Sequence, residues 1–175
     1  MYCDKKIPVI PPLFQNNNFI TSFSEKANLF NFFFANQCSL LNNASTLSEQ
    51  VPSTTHHFLE NIAFSDDDIL QLIRRLDPNK SHGFDGISIR MLKLCDSSIV
   101  KPLSIIFNNS INHGHFPLAW KMGNITPIHK KNEKNLIENY RPISILPICG
   151  KLLERIIFNT LYSFFQENNV LNVNQ

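Results

Sequence analysis

The sequence predicts an α+β fold that is mostly helical, with helices around a small antiparallel β-hairpin. Apolar residues make up 43% of the 175-residue chain, which is enough for a hydrophobic core. In most segments they recur every three or four positions, which is the spacing of one helix face. Around residues 121–146 the spacing changes to that of two short strands, so one hairpin is expected there.

Five segments carry the helical spacing, and the clearest of them begins at Ser65. The run Ser65-Asp66-Asp67-Asp68 is typical of a capping box, and its acidic residues favour the positive end of the helix dipole. Gly114 is expected to close the fourth helix, because glycine readily adopts the left-handed conformation that follows a helix. Residues 1–20 are interpreted as an extended lead-in and residues 42–60 as a loop. The predicted helices run from Ser22 or Ser24 to about residue 41, and over about 65–77, 88–95, 97–112 and 147–167.

The predicted hairpin has strands at about 122–128 and 140–146, joined by a polar connection. Residues 121–155 carry seven Lys or Arg residues against three Glu residues. Lys130 and Lys131 follow the first strand and Arg141 opens the second, and an antiparallel hairpin can bring such positions together. Their charged groups suit phosphate oxygens. Charge alone favours a solvated hairpin tip over a phosphate site.

The charge is unevenly distributed between the two halves of the chain. Residues 1–79 have five Lys or Arg and eight Asp or Glu residues, a net charge of −3. Residues 80–175 have eleven and six, a net charge of +5. A basic half of this kind fits either a solvated surface or contact with a polyanion.

The spacing of the cysteines and the length of the apolar segments indicate in which cellular compartment the protein is expected. The four cysteines are far apart, which fits reduced, mostly buried thiols and argues against a zinc site. No signal peptide is recognisable, and no apolar run approaches the roughly 20 residues of a membrane span. We therefore expect an intracellular protein of the nucleus or cytoplasm that has no membrane partner and is not secreted.

Several short blocks occur in a fixed order along nearly the whole chain. They are Ile10-Pro-Pro-Leu13, Glu25-Lys-Ala-Asn-Leu-Phe-Asn31, Lys80-Ser-His-Gly-Phe-Asp-Gly-Ile87, Phe116-Pro-Leu-Ala-Trp-Lys121, Ile125-Thr-Pro-Ile-His-Lys-Lys131, Asn139-Tyr-Arg-Pro-Ile-Ser-Ile-Leu146 and Lys151-Leu-Leu-Glu-Arg155. Each block alone is weak. The ordered set resembles the N-terminal and fingers portion of reverse transcriptases from non-LTR retrotransposons, the jockey-like LINE elements above all. His82 departs from the pattern, since the family usually has proline there.

The resemblance implies which residues contact nucleotide and nucleic acid. In this family a lysine at the end of the first hairpin strand and an arginine on the second hold the triphosphate of the incoming nucleotide. Lys130 or Lys131 and Arg141 match those places, and the choice between the two lysines stays open. The block from Lys80 to Ile87 would lie near the template. The further nucleic-acid contacts that the resemblance implies are Lys121, Lys80, Gly83, Asp85 and Gly86.

Some of these residues have alternative interpretations. Gly83 and Gly86 can take positive φ, which would let the backbone approach a nucleic-acid strand closely. Asp85 is equally well explained as a side chain that stabilises a turn. Phe116 and Trp120 could stack on a base, although core packing is the commoner role for such residues.

The family's two catalytic metal ions are held by aspartates of the palm subdomain. We expect both palm motifs to lie beyond Gln175, because residues 171–175 resemble the stretch that precedes them. Asp66-Asp67-Asp68 are better explained by the helix start. We therefore expect no catalytic residue, no metal ligand and no bound cofactor in this chain, whereas the full-length enzyme would use Mg²⁺.

The resemblance also implies a domain organisation and partners. Residues 1–60 would be a linker with an N-terminal helix, residues 61–120 a helical N-terminal extension, and residues 121–175 the start of the reverse transcriptase domain. That last part would be a partial fingers subdomain of a right-hand polymerase. The implied partners are an RNA template, a DNA primer, the incoming nucleotide and the palm. The expected function is a fragment of an RNA-directed DNA polymerase that is inactive alone; a repurposed nucleic-acid-binding protein and a helical interaction module are the alternatives.

Overall fold

The computed structural model describes residues 9–38 and 57–171. About 53% of the described residues are helical, and the described ranges contain two small antiparallel hairpins, so the predicted α+β class is confirmed. The helices are α1 (Phe23–Cys38), α2 (Asp66–Arg75), α3 (Ile89–Cys95), α4 (Val100–Asn112), α5 (Leu118–Lys121) and α6 (Ile148–Glu167), and 3-10 turns cover Asp96–Ile99 and Ile137–Asn139. The strands are β1 (Leu13–Gln15), β2 (Asn18–Ile20), β3 (Asn124–His129) and β4 (Tyr140–Ile145).

The chain forms two compact units that interleave in sequence. The first comprises Met1–Thr46 with Ile125–Ser144 and is called the hairpin unit below. The second comprises Leu47–Asn124 with Ile145–Gln175 and is called the helical unit. These units describe packing within the chain, and the domain boundaries at residues 60 and 120 stay predictions.

The interpretation of residues 1–20 as an extended lead-in is wrong for its second half, which forms a hairpin. Strands β1 and β2 pair with Leu13 opposite Ile20. Asn16 and Asn17 make the turn with φ values of 50° and 62°. Two central residues with positive φ match the right-handed twist of a hairpin, and asparagine tolerates that conformation well.

The hairpin unit has a small aromatic core of its own. Its buried members come from β1, α1 and the second hairpin: Leu13, Phe30, Phe34, Ile137 and Tyr140. The ring of Phe30 meets the ring of Tyr140 edge-on, with 5.0 Å between the centroids. The hairpin formed by β3 and β4 is therefore packed against α1 within this unit, which supplies the apolar support that a lone two-stranded ribbon lacks.

The helical unit contains the larger core. The capping box predicted at Ser65 is confirmed, because Ser65 Oγ accepts from the Asp68 amide and the Asp68 carboxylate accepts from the Ser65 amide. The predicted helices near 88–95, 97–112 and 147–167 are also confirmed, with the start of the second one wound as a 3-10 turn. Gly114 follows α4 with a φ of 61°, as expected of a helix-ending glycine. The buried core residues are Ile69, Ile73, Ile89, Leu92, Val100, Leu103, Phe107, Ile148, Cys149, Leu152, Leu153 and Ile156.

Some local expectations need correction or fall outside the described residues. The spacing of apolar residues predicts that Ile106 shares the inner face of α4 with Leu103 and Phe107, but Ile106 is 41% exposed because the latter two define that face. Helix α1 is described to Cys38, and most of the loop predicted over 42–60 lies outside the described residues. The short helix α5 was not predicted. No helix among the described residues is long and apolar enough to cross a bilayer.

The aromatic contact between α1 and the second hairpin leads to a stability prediction. Replacing Phe30 by Ala should lower the free energy of unfolding by about 3–5 kcal/mol, because it removes a buried ring and leaves a cavity. Phe32 lies on the same helix and is 68% exposed, so Phe32→Ala should change that free energy by less than about 0.5 kcal/mol. Urea unfolding followed by circular dichroism measures both. Equal losses in the two variants would contradict the packing described here.

Candidate nucleic-acid interface

The register of the second hairpin is fixed where β3 ends and β4 begins. The Lys130 amide donates to the Asn139 carbonyl oxygen at 2.8 Å. The His129 ring contacts the Tyr140 ring, with 5.4 Å between the centroids. Both contacts fit an antiparallel pair in which His129 lies opposite Tyr140.

This register decides which basic side chains share a face. Tyr140 faces the aromatic core, so Arg141, the next residue on β4, lies on the opposite face. Lys130 likewise follows His129 and lies on the face away from Tyr140. Lys130 and Arg141 therefore lie on the same face as diagonal neighbours. Lys131 falls in the bend that follows, next to Asn132 with its φ of 63°.

The connection at the hairpin tip is ordered by hydrogen bonds and by one buried side chain. The Tyr140 hydroxyl donates to the Lys134 carbonyl oxygen at 2.7 Å, and Asn139 Nδ2 donates to the Glu133 carbonyl oxygen at 2.8 Å. The Phe14 amide donates to the Asn135 carbonyl oxygen at 2.8 Å, which ties the tip to β1. Ile137 is 6% exposed, so the connection expected to be polar contributes to the core. The tip lysines therefore extend from a closed, supported loop.

The basic residues of the hairpin have no acidic partner within the described part of the chain. The ion pairs found there join Arg74 to Asp96 and Lys101 to Asp66. Glu133 and Glu138 lie in the tip, and neither pairs with Lys130, Lys131 or Arg141. These three side chains are exposed. They are thus available to an external anion.

The turn from Lys80 to Gly86 belongs to the helical unit. Gly86 has a φ of 72°, as expected, with nothing within 4 Å of the place a Cβ would occupy. Gly83 does not have positive φ, which corrects the expectation for it. A Cβ on Gly83 would lie 2.5 Å from the Pro147 nitrogen. The close backbone approach at Gly83 is therefore made by the protein's own chain, just before α6.

The carboxylate of Asp85 stabilises this turn, so that alternative is confirmed. Its Oδ1 accepts from the Ile87 amide at 3.2 Å. Its Oδ2 is buried and has no hydrogen-bond partner within the described residues.

Burial, and next the nearby Asp85 carboxylate, raise the pKa of the Cys149 thiol to about 11. Cys149 is thus a protonated core residue, whereas Cys95 is exposed.

The remaining predicted contacts are surface lysines of the helical unit. Lys80 is exposed in the turn after α2, where its amide donates to the Asp77 carbonyl oxygen at 3.2 Å. Lys121 is exposed in the last turn of α5. The predicted site residues thus divide into two groups, Lys130, Lys131 and Arg141 in the hairpin unit and the other five in the helical unit. Their roles toward nucleic acid stay predictions.

The aromatic pair near α5 packs in the core, which confirms the commoner of the two alternatives. The Trp120 ring meets Phe107 and Phe116 edge-on, with 5.9 Å between the centroids in each case. Both Phe116 and Trp120 pack against the core of the helical unit. Base stacking by these two residues is therefore not supported.

The acidic residues and histidines of the described residues do not assemble a metal site. No three His, Cys, Asp or Glu side chains come together in the described ranges 9–38 and 57–171. Asp68 is engaged in the capping box of α2, as expected from the helix start. A hydrogen bond to the Ser65 amide lowers the pKa of the Asp68 carboxyl.

Comparison with known proteins identifies related sequences. The chain is 36% identical over 96 residues to the RNA-directed DNA polymerase from mobile element jockey of Drosophila melanogaster. It is 35% identical over 106 residues to the probable RNA-directed DNA polymerase from transposon BS of the same organism. It is 28% identical over 97 residues to the retrovirus-related Pol polyprotein from type-1 retrotransposable element R1 of Bradysia coprophila. The chain is homologous to non-LTR retrotransposon RNA-directed DNA polymerases.

The homology to these retrotransposon polymerases covers a small part of each relative. The jockey match spans 54% of this chain and 10% of that protein, and the BS match spans 60% and 12%. The match to the R1 polyprotein spans 54% and 10%. No protein-family profile matches the chain. The resemblance to retrotransposon reverse transcriptases that the ordered blocks indicated is confirmed. Because the chain spans only about a tenth of each relative, the activity of the full-length relatives is not assigned to it.

The close packing at Gly83 gives a testable consequence for this retrotransposon-polymerase homologue. Gly83→Ala should lower the free energy of unfolding by about 1–3 kcal/mol, because the added methyl group has to displace backbone. Gly86→Asn is the control in the same turn and should cost less than about 1 kcal/mol, since asparagine tolerates positive φ and the space is open. Thermal unfolding compares the two variants. If Gly83→Ala left the unfolding temperature unchanged, Gly83 would not be held against Pro147.

Proposed function

We propose that this chain is the nucleic-acid-contacting part of a non-LTR retrotransposon reverse transcriptase. Its second hairpin would act as the tip of the fingers subdomain and contact phosphate. The observation that carries the proposal is the placement of Lys130 and Arg141 on one exposed face of a supported hairpin, without acidic partners. Homology to RNA-directed DNA polymerases makes a template strand and an incoming nucleotide the natural sources of that phosphate.

The geometry supports Lys130 over Lys131 as the partner of Arg141. A lysine supplies a compact charge and an arginine a planar fork of donors, and the two together can surround one phosphate group. Lys130 is fixed by its backbone bond across the hairpin, whereas Lys131 belongs to the bend. Lys131 and Lys134 would then add to the attraction of a strand without sharing that phosphate.

Nucleotidyl transfer would need residues beyond those described. The reaction uses two metal ions held by carboxylates. Mg²⁺ would supply that chemistry in the longer relatives, but the described residues bring no set of three carboxylate or other metal ligands together. The donors present therefore do not fit the metal, and no catalytic step is assigned to this chain.

The absence of a catalytic role is tested by primer extension. The purified chain, supplied with primed RNA template, Mg²⁺ and all four deoxynucleotides, should give no extended product. An active reverse transcriptase run in parallel shows that the reagents work. Magnesium-dependent extension by this chain would overturn the assignment of contact without catalysis.

Phosphate contact by the hairpin is tested with a triple variant, Lys130→Ala, Lys131→Ala and Arg141→Ala. Its affinity for RNA, measured by fluorescence anisotropy over a salt series, should fall at least tenfold at low salt. The dependence of log affinity on log salt should become shallower by about 1.4, since Lys130 and Arg141 share one phosphate, Lys131 adds a second, and each phosphate contact with a single strand contributes about 0.7.

A matched control removes the same number of positive charges elsewhere. It replaces Arg90, Lys93 and Lys101 of the helical unit by Ala, and these side chains are engaged by Asn79, by the Arg74 carbonyl oxygen and by Asp66. The control should keep most of its affinity. Equal losses would mean that only overall charge matters, and undetectable binding by the unaltered chain would favour a helical interaction module instead.

A further inference from the structure

A second basic surface lies in the helical unit, in residues that the hairpin proposal does not use. An open cleft runs between α2 and α6. Its apolar floor consists of Leu72, Leu76 and Leu152. Three cations line it, Arg75 from the last turn of α2 and Lys151 with Arg155 from one face of α6, one helical turn apart. The packing of α2 on α6 brings Arg75 to the same cleft as Lys151 and Arg155.

The three cations of this α2–α6 cleft have no carboxylate partner among the described residues. The ion pairs found there involve Arg74 and Lys101, not these residues. Glu154 lies between Lys151 and Arg155 in sequence, but it does not line the cleft. Asp68 lines an adjoining depression together with Arg75, and its carboxylate is already bonded to Ser65. The positive charge of the cleft is therefore not neutralised from within the unit.

An aromatic stack adjoins the cleft on α6. The guanidinium carbon of Arg155 lies 5.5 Å from the centroid of the Phe158 ring. Phe158 stacks in turn on Tyr162, with 5.5 Å between the centroids and 14° between the planes. Phe158 is 51% exposed and Tyr162 is 43% exposed. The guanidinium group of Arg155 thus lies over the Phe158 ring, and the N–H groups at its edge can still donate hydrogen bonds to an anion.

We infer that the α2–α6 cleft binds the backbone phosphates of a single-stranded nucleic acid. Cations along an open cleft suit a chain of phosphates, and accessible stacked rings beside them suit unpaired bases. This combination distinguishes a single strand from a duplex, whose bases are already stacked. It also distinguishes a strand from an acidic peptide, which would gain little from a flat ring surface. The inference rests on the helical unit alone and does not depend on the hairpin.

The charge contribution is tested with Arg75→Gln, Lys151→Gln and Arg155→Gln combined in the full chain. The probe is a fluorescent oligouridylate, and the readout is affinity by anisotropy over a salt series. Affinity should fall at least tenfold at low salt, and the salt slope should decrease by about 2 for three lost phosphate contacts. The matched control carries Arg90→Gln, Lys93→Gln and Lys101→Gln in the same unit. An equal loss in the control, or no loss in the cleft variant, would overturn the proposal.

The stacking contribution has a different signature. Phe158→Leu with Tyr162→Leu should weaken oligouridylate binding several-fold while leaving the salt slope unchanged, since no charge is removed. Binding of a duplex of the same length should be unaffected by the leucine pair. If inorganic phosphate displaces the oligonucleotide at equal phosphate concentration, the cleft is a general anion site and the proposed strand contact is wrong.

The cleft and the hairpin can be tested apart. The cleft variant is measured both in the unaltered chain and in the chain that carries the Lys130, Lys131 and Arg141 substitutions. A loss in both backgrounds supports the cleft whatever the hairpin does. A loss only when the hairpin is intact would mean that the cleft has no binding of its own, which contradicts the inference. Thermal unfolding of each variant confirms that the helical unit remains folded.

Discussion

The edge-on contact between Phe30 of α1 and Tyr140 of β4 is the interaction on which the hairpin unit depends. It buries Tyr140, the first residue of β4, and so anchors one end of a two-stranded ribbon that would be marginal alone. With Tyr140 directed inward, strand alternation directs Arg141 outward, and the register across the hairpin directs Lys130 to the same side. The same tyrosine also donates its hydroxyl to the Lys134 carbonyl oxygen, so it supports the tip that carries the lysines.

Helix α6 has a comparable position in the helical unit. Pro147, its N-cap, is packed against Gly83, Gly150 in its first turn is packed against Trp120, and its middle contributes Leu152, Leu153 and Ile156 to the core. Its outer face carries Lys151 and Arg155. Helix α6 thus packs on the core with one face and presents cations to solvent with the other, so a substitution in it has to be tested for both stability and binding.

The sequence predicted the elements that depend on local pattern. The capping box at Ser65, the glycine end at Gly114 and the second hairpin follow from residue types a few positions apart. The first hairpin was missed because its strands have three residues each, although the Asn16-Asn17 pair was a usable turn signal. The burial of Ile137, the packing of Gly83 on Pro147 and the approach of Arg75 to Lys151 join residues far apart in sequence. Local spacing carries no information on such contacts, so the cleft and the anchoring of the tip needed the structure.

The pairing of Lys130 with Arg141 is the central claim, and a double-mutant cycle tests it most directly. Lys130→Ala and Arg141→Ala are made singly and together, a second cycle uses Lys131→Ala in place of Lys130→Ala, and RNA affinity is measured for each. The account predicts coupling of at least about 0.5 kcal/mol between Lys130 and Arg141, because both would contact one phosphate, and near additivity for Lys131 with Arg141. Additive effects in the first cycle, or stronger coupling in the second, would contradict it.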